Sequence, residues 1–211
     1  ARRGVMPELR YISIVESDFI LHGRSNAGAL GPFQLMDRTA RSYGLLTGNK
    51  NDERYDPLKS GDAASRFLGD LIKETGDLNL ALAAYNGGFA GRYLASEKQN
   101  PTYEGYLKFM EEKINSLRSS IVSGNFEHIV LKGQNLRQIA RRYGVGIDEL
   151  KKANAVGSRI GIRAGERLRI PLRNEAHKKM VFEKLASGFK ENINFPHQVN
   201  AVMEVVKEGK I

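Results

Sequence analysis

A chain of 211 residues has room for one ordinary domain plus a small one. Its 41% hydrophobic and 27% charged residues describe a globular protein with real cores and exclude a disordered one, and no stretch approaches the roughly 18–20 uninterrupted apolar residues of a membrane span. The absence of cysteine excludes disulfides and thiolate metal sites and leaves the redox compartment open.

The net charge of +9 is unevenly placed. Residues 1–120 hold 16 Lys and Arg against 15 Asp and Glu, whereas residues 121–211 hold 17 against 9. A basic C-terminal half favours a polyanionic partner such as nucleic acid, acidic lipid or a carboxylate-rich cell wall; a well-solvated surface is the alternative reading. The opening residues Ala1-Arg2-Arg3-Gly4 carry no apolar signal core. A mature or truncated form would look the same, so this start is no argument for the cytoplasm.

Taken in order, residues 5–120 read as mostly helical. Pro7 suits a first helical turn, and Leu9, Ile12, Val15 and Phe19 fall on one face of the run Pro7–Ser17. Leu21 to Phe33 is rich in Gly, Ser and Asn and reads as loop. A short helix follows from Leu35 to Tyr43, then a turn at Tyr55-Asp56-Pro57. Ser60 to Thr75 is amphipathic, with Ala64, Phe67, Leu68, Leu71 and Ile72 inward and Gly76 as its stop. Leu78 to Tyr85 is apolar all round and therefore central, and Gly87-Gly88 ends it. Tyr103 to Leu117 is the last helix of this part.

Ser119 to Asn125 reads as a linker, after which the pattern changes. Glu127 to Leu131 is strand-like, Asn135 caps a helix over Leu136–Tyr143, Ile147–Asn154 is a second helix, and Arg167–Pro171 is a short alternating strand. Residues 174–211 form a Lys-rich tail with one or two helices, Glu175–Ser187 and Gln198–Glu208.

One carboxylate stands out for its chemistry. Breaking a glycosidic bond requires an acid that protonates the leaving oxygen, and a carboxyl still protonated near neutral pH needs a raised pKa. Glu16 follows Ile12, Ile14 and Val15 near a helix C-terminus, where desolvation and the partial negative charge both disfavour its ionised form. On position alone, an ordinary surface Glu at a helix end explains it as well.

Three later segments change that balance. They are Ser25-Asn26-Ala27-Gly28-Ala29-Leu30-Gly31-Pro32-Phe33-Gln34-Leu35-Met36, then Ala84-Tyr85-Asn86-Gly87-Gly88, then Thr102 with Tyr106. With Glu16-Ser17 before them and Thr39-Ala40 between, they resemble the soluble-lytic-transglycosylase family, goose-type-lysozyme-like enzymes that cleave peptidoglycan. The resemblance covers about the first 100 residues. It implies Glu16 as the catalytic acid and then base, with Ser25, Gln34, Met36, Tyr85, Asn86 and Tyr106 as substrate-binding residues; for Tyr85 a core role is equally open. Members lack a second carboxylate nucleophile, and Asp18 and Asp37 read as exposed helix-end residues. The resemblance therefore implies that the substrate's own N-acetyl group stabilises the oxocarbenium-like state. The C6 hydroxyl of N-acetylmuramic acid would then close on C1 to give a 1,6-anhydro end. Pro32-Phe33 departs from the family's usual Leu-Met, which stiffens the loop and enlarges an apolar wall beside the neighbouring subsite. The stretch from Gly88 to Thr102 also departs from the pattern.

Residues 128–171 resemble a lysin motif (LysM), a βααβ module that binds N-acetylglucosamine polymers. The matching residues include Val130, Gly133, Leu136, Ile139-Ala140, Tyr143-Gly144, Leu150, Asn154, Leu168 and Ile170-Pro171. A DNA-binding helix-turn-helix competes for Leu136–Val145, but strands on both flanks favour βααβ over a third helix. Gly133, Gln134 and Asn135 are the implied glycan-binding residues. The segment Ala155–Ile162, a residue longer than usual, would form half of the groove.

The expectation is an α+β chain. A lysozyme-like domain (1–120) is followed by a linker (121–126), a LysM domain (127–172) and a basic helical tail of unassigned role (173–211). The implied activity is peptidoglycan lytic transglycosylase, with a hydrolytic lysozyme of the same fold as the alternative and a non-catalytic wall-binding protein behind it. No cofactor or metal is expected. The expected partner is peptidoglycan rather than nucleic acid, the chain a monomer, and the location the periplasm or cell envelope.

Overall fold

The computed structural model describes residues 7–48, 51–96, 100–156 and 161–209. It is α+β and divides into two compact units, one of residues 1–109 with 190–211, the other of residues 110–189. The first unit therefore takes in the end of the chain, beyond the lysin-motif region.

In the first unit the run Pro7–Ser17 opens as a 3-10 turn, Pro7–Tyr11, and continues as helix α1, Ile12–Ser17. Asp18 and Phe19 then adopt left-handed backbone (φ 51° and 59°), which turns the chain away from the helical face. Leu9 and Ile12 are buried as the spacing predicts, but Phe19 is 49% exposed for this reason. Helix α2, Asp37–Ser42, is shorter than its pattern because Leu35 is committed to an extended bridge with Leu30. Helix α3, Pro57–Thr75, starts three residues before Ser60. The Asp56 carboxylate accepts from the N–H groups of Leu58 and Lys59, and Pro57 occupies the first turn, where its missing N–H is no loss. Helix α4, Leu78–Asn86, is capped by Asp77. The Gly87-Gly88 pair does not end the helical region. Gly87 alone is extended, and Gly88 begins α5, Gly88–Ser96.

Leu9, Ile12, Phe33, Leu68, Ala81 and Leu82 form the heart of this core. Phe195, Val199 and Met203 belong to the same cluster and come from the last helix. Full burial of side chains of this size stabilises by about 1.5–3 kcal/mol each, so the end of the chain is an energetic part of the first unit.

Helix α6, Tyr103–Val122, continues through Ser119–Val122, which had the composition of a linker. Burial explains the extension: Ile121 is 2% exposed and sits in the core of the second unit. There, β1 (Glu127–Ile129) pairs antiparallel with β2 (Arg167–Arg169), with His128 opposite Leu168. Those two point inward and their neighbours outward, the period-two pattern of a half-buried sheet. Pairing runs on past the strands through Val130 N–H to Glu166 and Ile170 N–H to Phe126. Between the strands lie α7 (Leu136–Tyr143) and α8 (Ile147–Ala153). A reciprocal capping box, Asn135 with Gln138, starts α7, and Gly144 in left-handed backbone stops it.

The tail is one helix, α9, Glu175–Lys207, with Pro196 inside it, rather than two. Its first half packs Val181 into the second core with Phe182 and Leu185 against it, and its second half packs Phe195, Val199 and Met203 into the first. His177 anchors its start: Nε2 donates to the Tyr143 carbonyl (2.7 Å), and Nδ1 accepts from the Arg173 N–H.

Candidate active site

Glu16 sits in the last turn of α1 and opens into a cleft of about 490 Å³ in the first unit. The floor comes from the loop 25–36, where two close bridges, Arg24 to Leu30 and Leu30 to Leu35, fold the chain into a small extended knot. Gly31 makes this possible. Its φ is +78°, and a Cβ there would lie 1.9 Å from the Arg54 carbonyl oxygen. Behind the knot, Arg54 is buried and ion-paired with Asp52 at 2.7 Å, and its Nη1 donates to the carbonyls of Leu35 (3.2 Å) and Gly28 (3.4 Å). Neither Arg54 nor Asp52 carries a motif that sequence reasoning could have used.

The loop is clamped from both sides. Ser17 Oγ donates to the Pro32 carbonyl (3.0 Å), tying it to the helix of Glu16, and the Tyr85 hydroxyl donates to the Phe33 carbonyl (2.9 Å). Phe33 itself points into the core and is not among the residues lining the cleft, whose apolar lining comes from Leu35, Met36 and Phe67. Gln34 has left-handed backbone (φ 44°), an uncommon state for a residue with a side chain, of the kind that costs about 1–3 kcal/mol. Its backbone and side-chain N–H groups both donate to the Gly31 carbonyl. Ser25 Oγ accepts from the Ala29 N–H (2.9 Å), closing the start of the same loop.

The structure brings Glu16, Ser25, Gln34, Met36, Tyr85 and Asn86 to one cleft. Met36 is 45% exposed at its edge. Tyr106 is not among the lining residues. It is fully buried, and its hydroxyl donates to Asn192 Oδ1 (3.1 Å) while Asn192 Nδ2 donates to Asn86 Oδ1 (2.7 Å). It reaches the cleft only through Asn192. Packing there is close enough that a Cβ on Gly87 would meet Asn192 Nδ2 at 2.7 Å. Thr39, Phe67 and Gly91 also line the cleft. Thr39 was legible as part of a motif; the other two were not.

One lining residue overturns an expectation. Glu191, from α9, brings a second carboxylate to the cleft, although only Asp18 and Asp37 had stood out as neighbours of Glu16. It lies 175 positions downstream in a Lys-rich stretch, with nothing local to mark it. Burial, and secondly the charge of Glu191, push the Glu16 carboxyl up to about 8. The Tyr85 phenol is raised well above its ordinary value by burial and by Glu16. A neutral carboxylic acid in a cleft of this kind can donate a proton to a leaving oxygen at neutral pH. Among the described residues no cluster of His, Asp or Glu gathers that could hold a metal ion.

In the second unit, a groove of about 510 Å³ is lined by Gln134, Asn135, Leu136, Arg137, Ile147, Lys151, Gly161 and Ile162. Two of the three expected glycan-binding residues are therefore in the groove, and Gly133 sits just outside it, exposed, at φ +82°. Of the far wall, residues 157–160 lie outside the described residues. Gln134 also has a structural task. Its Oε1 accepts from the Leu131 N–H and from His128 Nε2, while His128 Nδ1 meets the Tyr143 hydroxyl (2.9 Å).

Residues 1–109 match the transglycosylase SLT domain family, and residues 128–171 match the LysM domain. Membrane-bound lytic murein transglycosylase D of Escherichia coli K12 is 28% identical over 89% of this chain and 47% of its own length. The chain thus spans about half the length of that relative. Peptidoglycan transglycosylase gp16 of Escherichia phage T7 is 36% identical over 47% of this chain and 7% of its own, and the transglycosylase of Enterobacteria phage PRD1 is 38% identical over 30% and 22%.

Proposed function

Since the chain belongs to the transglycosylase SLT family, we propose that it is a peptidoglycan lytic transglycosylase in which Glu16 serves as acid and then base. The observation that carries this reading is the place of Glu16 in a cleft it shares with Ser25, Gln34 and Asn86, where burial pushes its carboxyl up to about 8. Glu16 gives its proton to the oxygen leaving C1 of N-acetylmuramic acid, and the C1–O bond breaks. The substrate's N-acetyl group stabilises the positive charge. The carboxylate then takes the proton from the C6 hydroxyl, O6 bonds to C1, and Glu16 is protonated again with no water consumed. The left-handed backbone of Gln34 and the Asn192 clamp on Asn86 keep polar groups fixed where the glycan would lie, which lowers the cost of orienting it.

The LysM groove is proposed to hold the same polymer, raising its local concentration at the cleft. Its Arg137 and Lys151 suit a glycan bearing carboxylates. We place the protein in the cell envelope on the similarity to a membrane-bound murein transglycosylase; no helix among the described residues is long and apolar enough to cross a membrane. A monomer suffices for this reading.

The test is the pH profile of peptidoglycan cleavage with wild type and Glu16→Gln. Activity requires the protonated acid, so it should fall as pH rises through about 8. The Gln protein should lose activity by about 10²–10⁴-fold, the usual worth of a general acid. A Gln protein that still cleaves at near wild-type rate would sink the mechanism.

A further inference from the structure

The second carboxylate of the cleft has no part in the chemistry proposed above. Three observations fix its place. Glu191 and Glu16 line the same cleft. The residue after it, Asn192, is buried and hydrogen-bonded on both sides, to Asn86 and to Tyr106, so the turn of α9 that carries Glu191 is held against the end of α4. The turn is secured further along, where the Tyr103 hydroxyl donates to the Ile193 carbonyl (3.1 Å). Glu191 itself is exposed at the rim, not sunk in the floor.

We propose that Glu191 is a positioning residue for the catalytic proton: its charge at the rim keeps Glu16 protonated over a wider pH range than burial alone would. This rests on the reading of Glu16 as the acid. The groups that face Glu16 limit the alternatives. Among the described residues lining the cleft, Tyr85 on α4 and Glu191 on α9 are the other titratable side chains, and no Lys, Arg or His lines it. Tyr85 is a neutral phenol whose pKa lies well above neutrality, so it adds no charge there. A like charge nearby disfavours a second negative charge, and the effect acts through space without contact with substrate. Most of the displacement of Glu16 comes from burial, so the share due to Glu191 is the smaller one. Since Glu191 is exposed, salt screens it.

The experiment compares wild type, Glu191→Gln and Glu191→Asp. The first readout is the carbon-13 shift of the Glu16 side-chain carboxyl against pH in the intact chain, which requires no catalysis and holds even if the chain proves to cleave nothing. Removing the negative neighbour should lower the Glu16 midpoint by on the order of half to one pH unit, while Glu191→Asp should restore most of it. The second readout is the basic limb of kcat/KM for peptidoglycan cleavage, which should move down by the same amount, costing about two- to fivefold near pH 8 and less as pH falls. Raising the salt from low ionic strength should move the wild-type midpoint toward that of Glu191→Gln and leave the variant nearly still. An unchanged Glu16 midpoint in Glu191→Gln, or a loss of kcat equal at every pH, would overturn the proposal. If the midpoint shifts but no cleavage is seen at any pH, the electrostatic proposal stands and the assigned reaction falls.

Discussion

The groove of the LysM-bearing unit and the cleft around Glu16 are assembled in different ways. Among the described residues, those lining the groove fall between Gln134 and Ile162, within one βααβ unit. The cleft draws on α1, the 25–36 knot, α2, α3, α4, α5 and finally α9, from Glu16 to Glu191. Contacts close in sequence are set by caps and turns a few residues away. Contacts 175 positions apart exist only once the core has closed, and they carry the entropy of a long loop. Charge divides along the same line: residues 110–189 hold 16 Lys and Arg against 8 Asp and Glu, a net +8, and the rest of the chain holds only +1. The groove-bearing unit therefore carries almost all of the chain's net positive charge.

Perturbing each unit through residues of its own tests this contrast. Arg54→Met strands the buried Asp52 carboxylate beneath the 25–36 loop and should cost about 3–5 kcal/mol in the first unit. Amide hydrogen exchange resolved by residue should show the loss at Leu30–Leu35, with protection kept in α7 and α8. Met203→Ala removes a side chain that is 4% exposed in the first core and should cost about 2–4 kcal/mol, read in the exchange of α3 and α4. If only the last turns of α9 responded, the end of the chain would be an appendage and the comparison would fail.

The acid itself gives a smaller effect of defined sign. Its folded-state pKa of about 8 lies above the ordinary 4.5, so the folded protein holds a proton that the unfolded chain releases between those values. Stability contributed by that proton is complete below pH 4.5 and is lost as pH rises through about 8. Glu16→Gln should therefore gain about 1–3 kcal/mol over wild type at pH 8 and nothing at pH 4, measured by urea unfolding at the two pH values. The smallest expected change is Asn135→Ala, which removes the cap of α7 and should cost about 1 kcal/mol in the second unit alone.

How legible each unit was follows from the same difference. Asn135, Gly144 and the alternation around His128 and Leu168 signal their structure within a few residues, and α7, α8 and the strand pair fall close to where the pattern places them. In the first unit, Asp56-Pro57 has the pattern of a turn although it is also a cap, and Gly87-Gly88 has the pattern of a stop although only Gly87 leaves helical geometry. Glu16, Ser25, Gln34 and Asn86 were visible because they sit in short motifs. Asn192 and Glu191 act on groups more than a hundred residues away, and Arg54, though ion-paired with nearby Asp52, holds the carbonyls of Gly28 and Leu35 some twenty residues back, so no local pattern marks them. Tyr106 matched a motif, but full burial makes it a support for Asn192 rather than a wall of the cleft.

The central claim is that Glu16 returns as a base to the sugar's own C6 hydroxyl rather than to water. The most direct measurement is the mass of the fragments that the wild-type chain releases from purified peptidoglycan. The account predicts N-acetylmuramic acid ends lighter by one water, the 1,6-anhydro form, absent from a Glu16→Gln digest. Reducing ends carrying the full water from the earliest time points would contradict it.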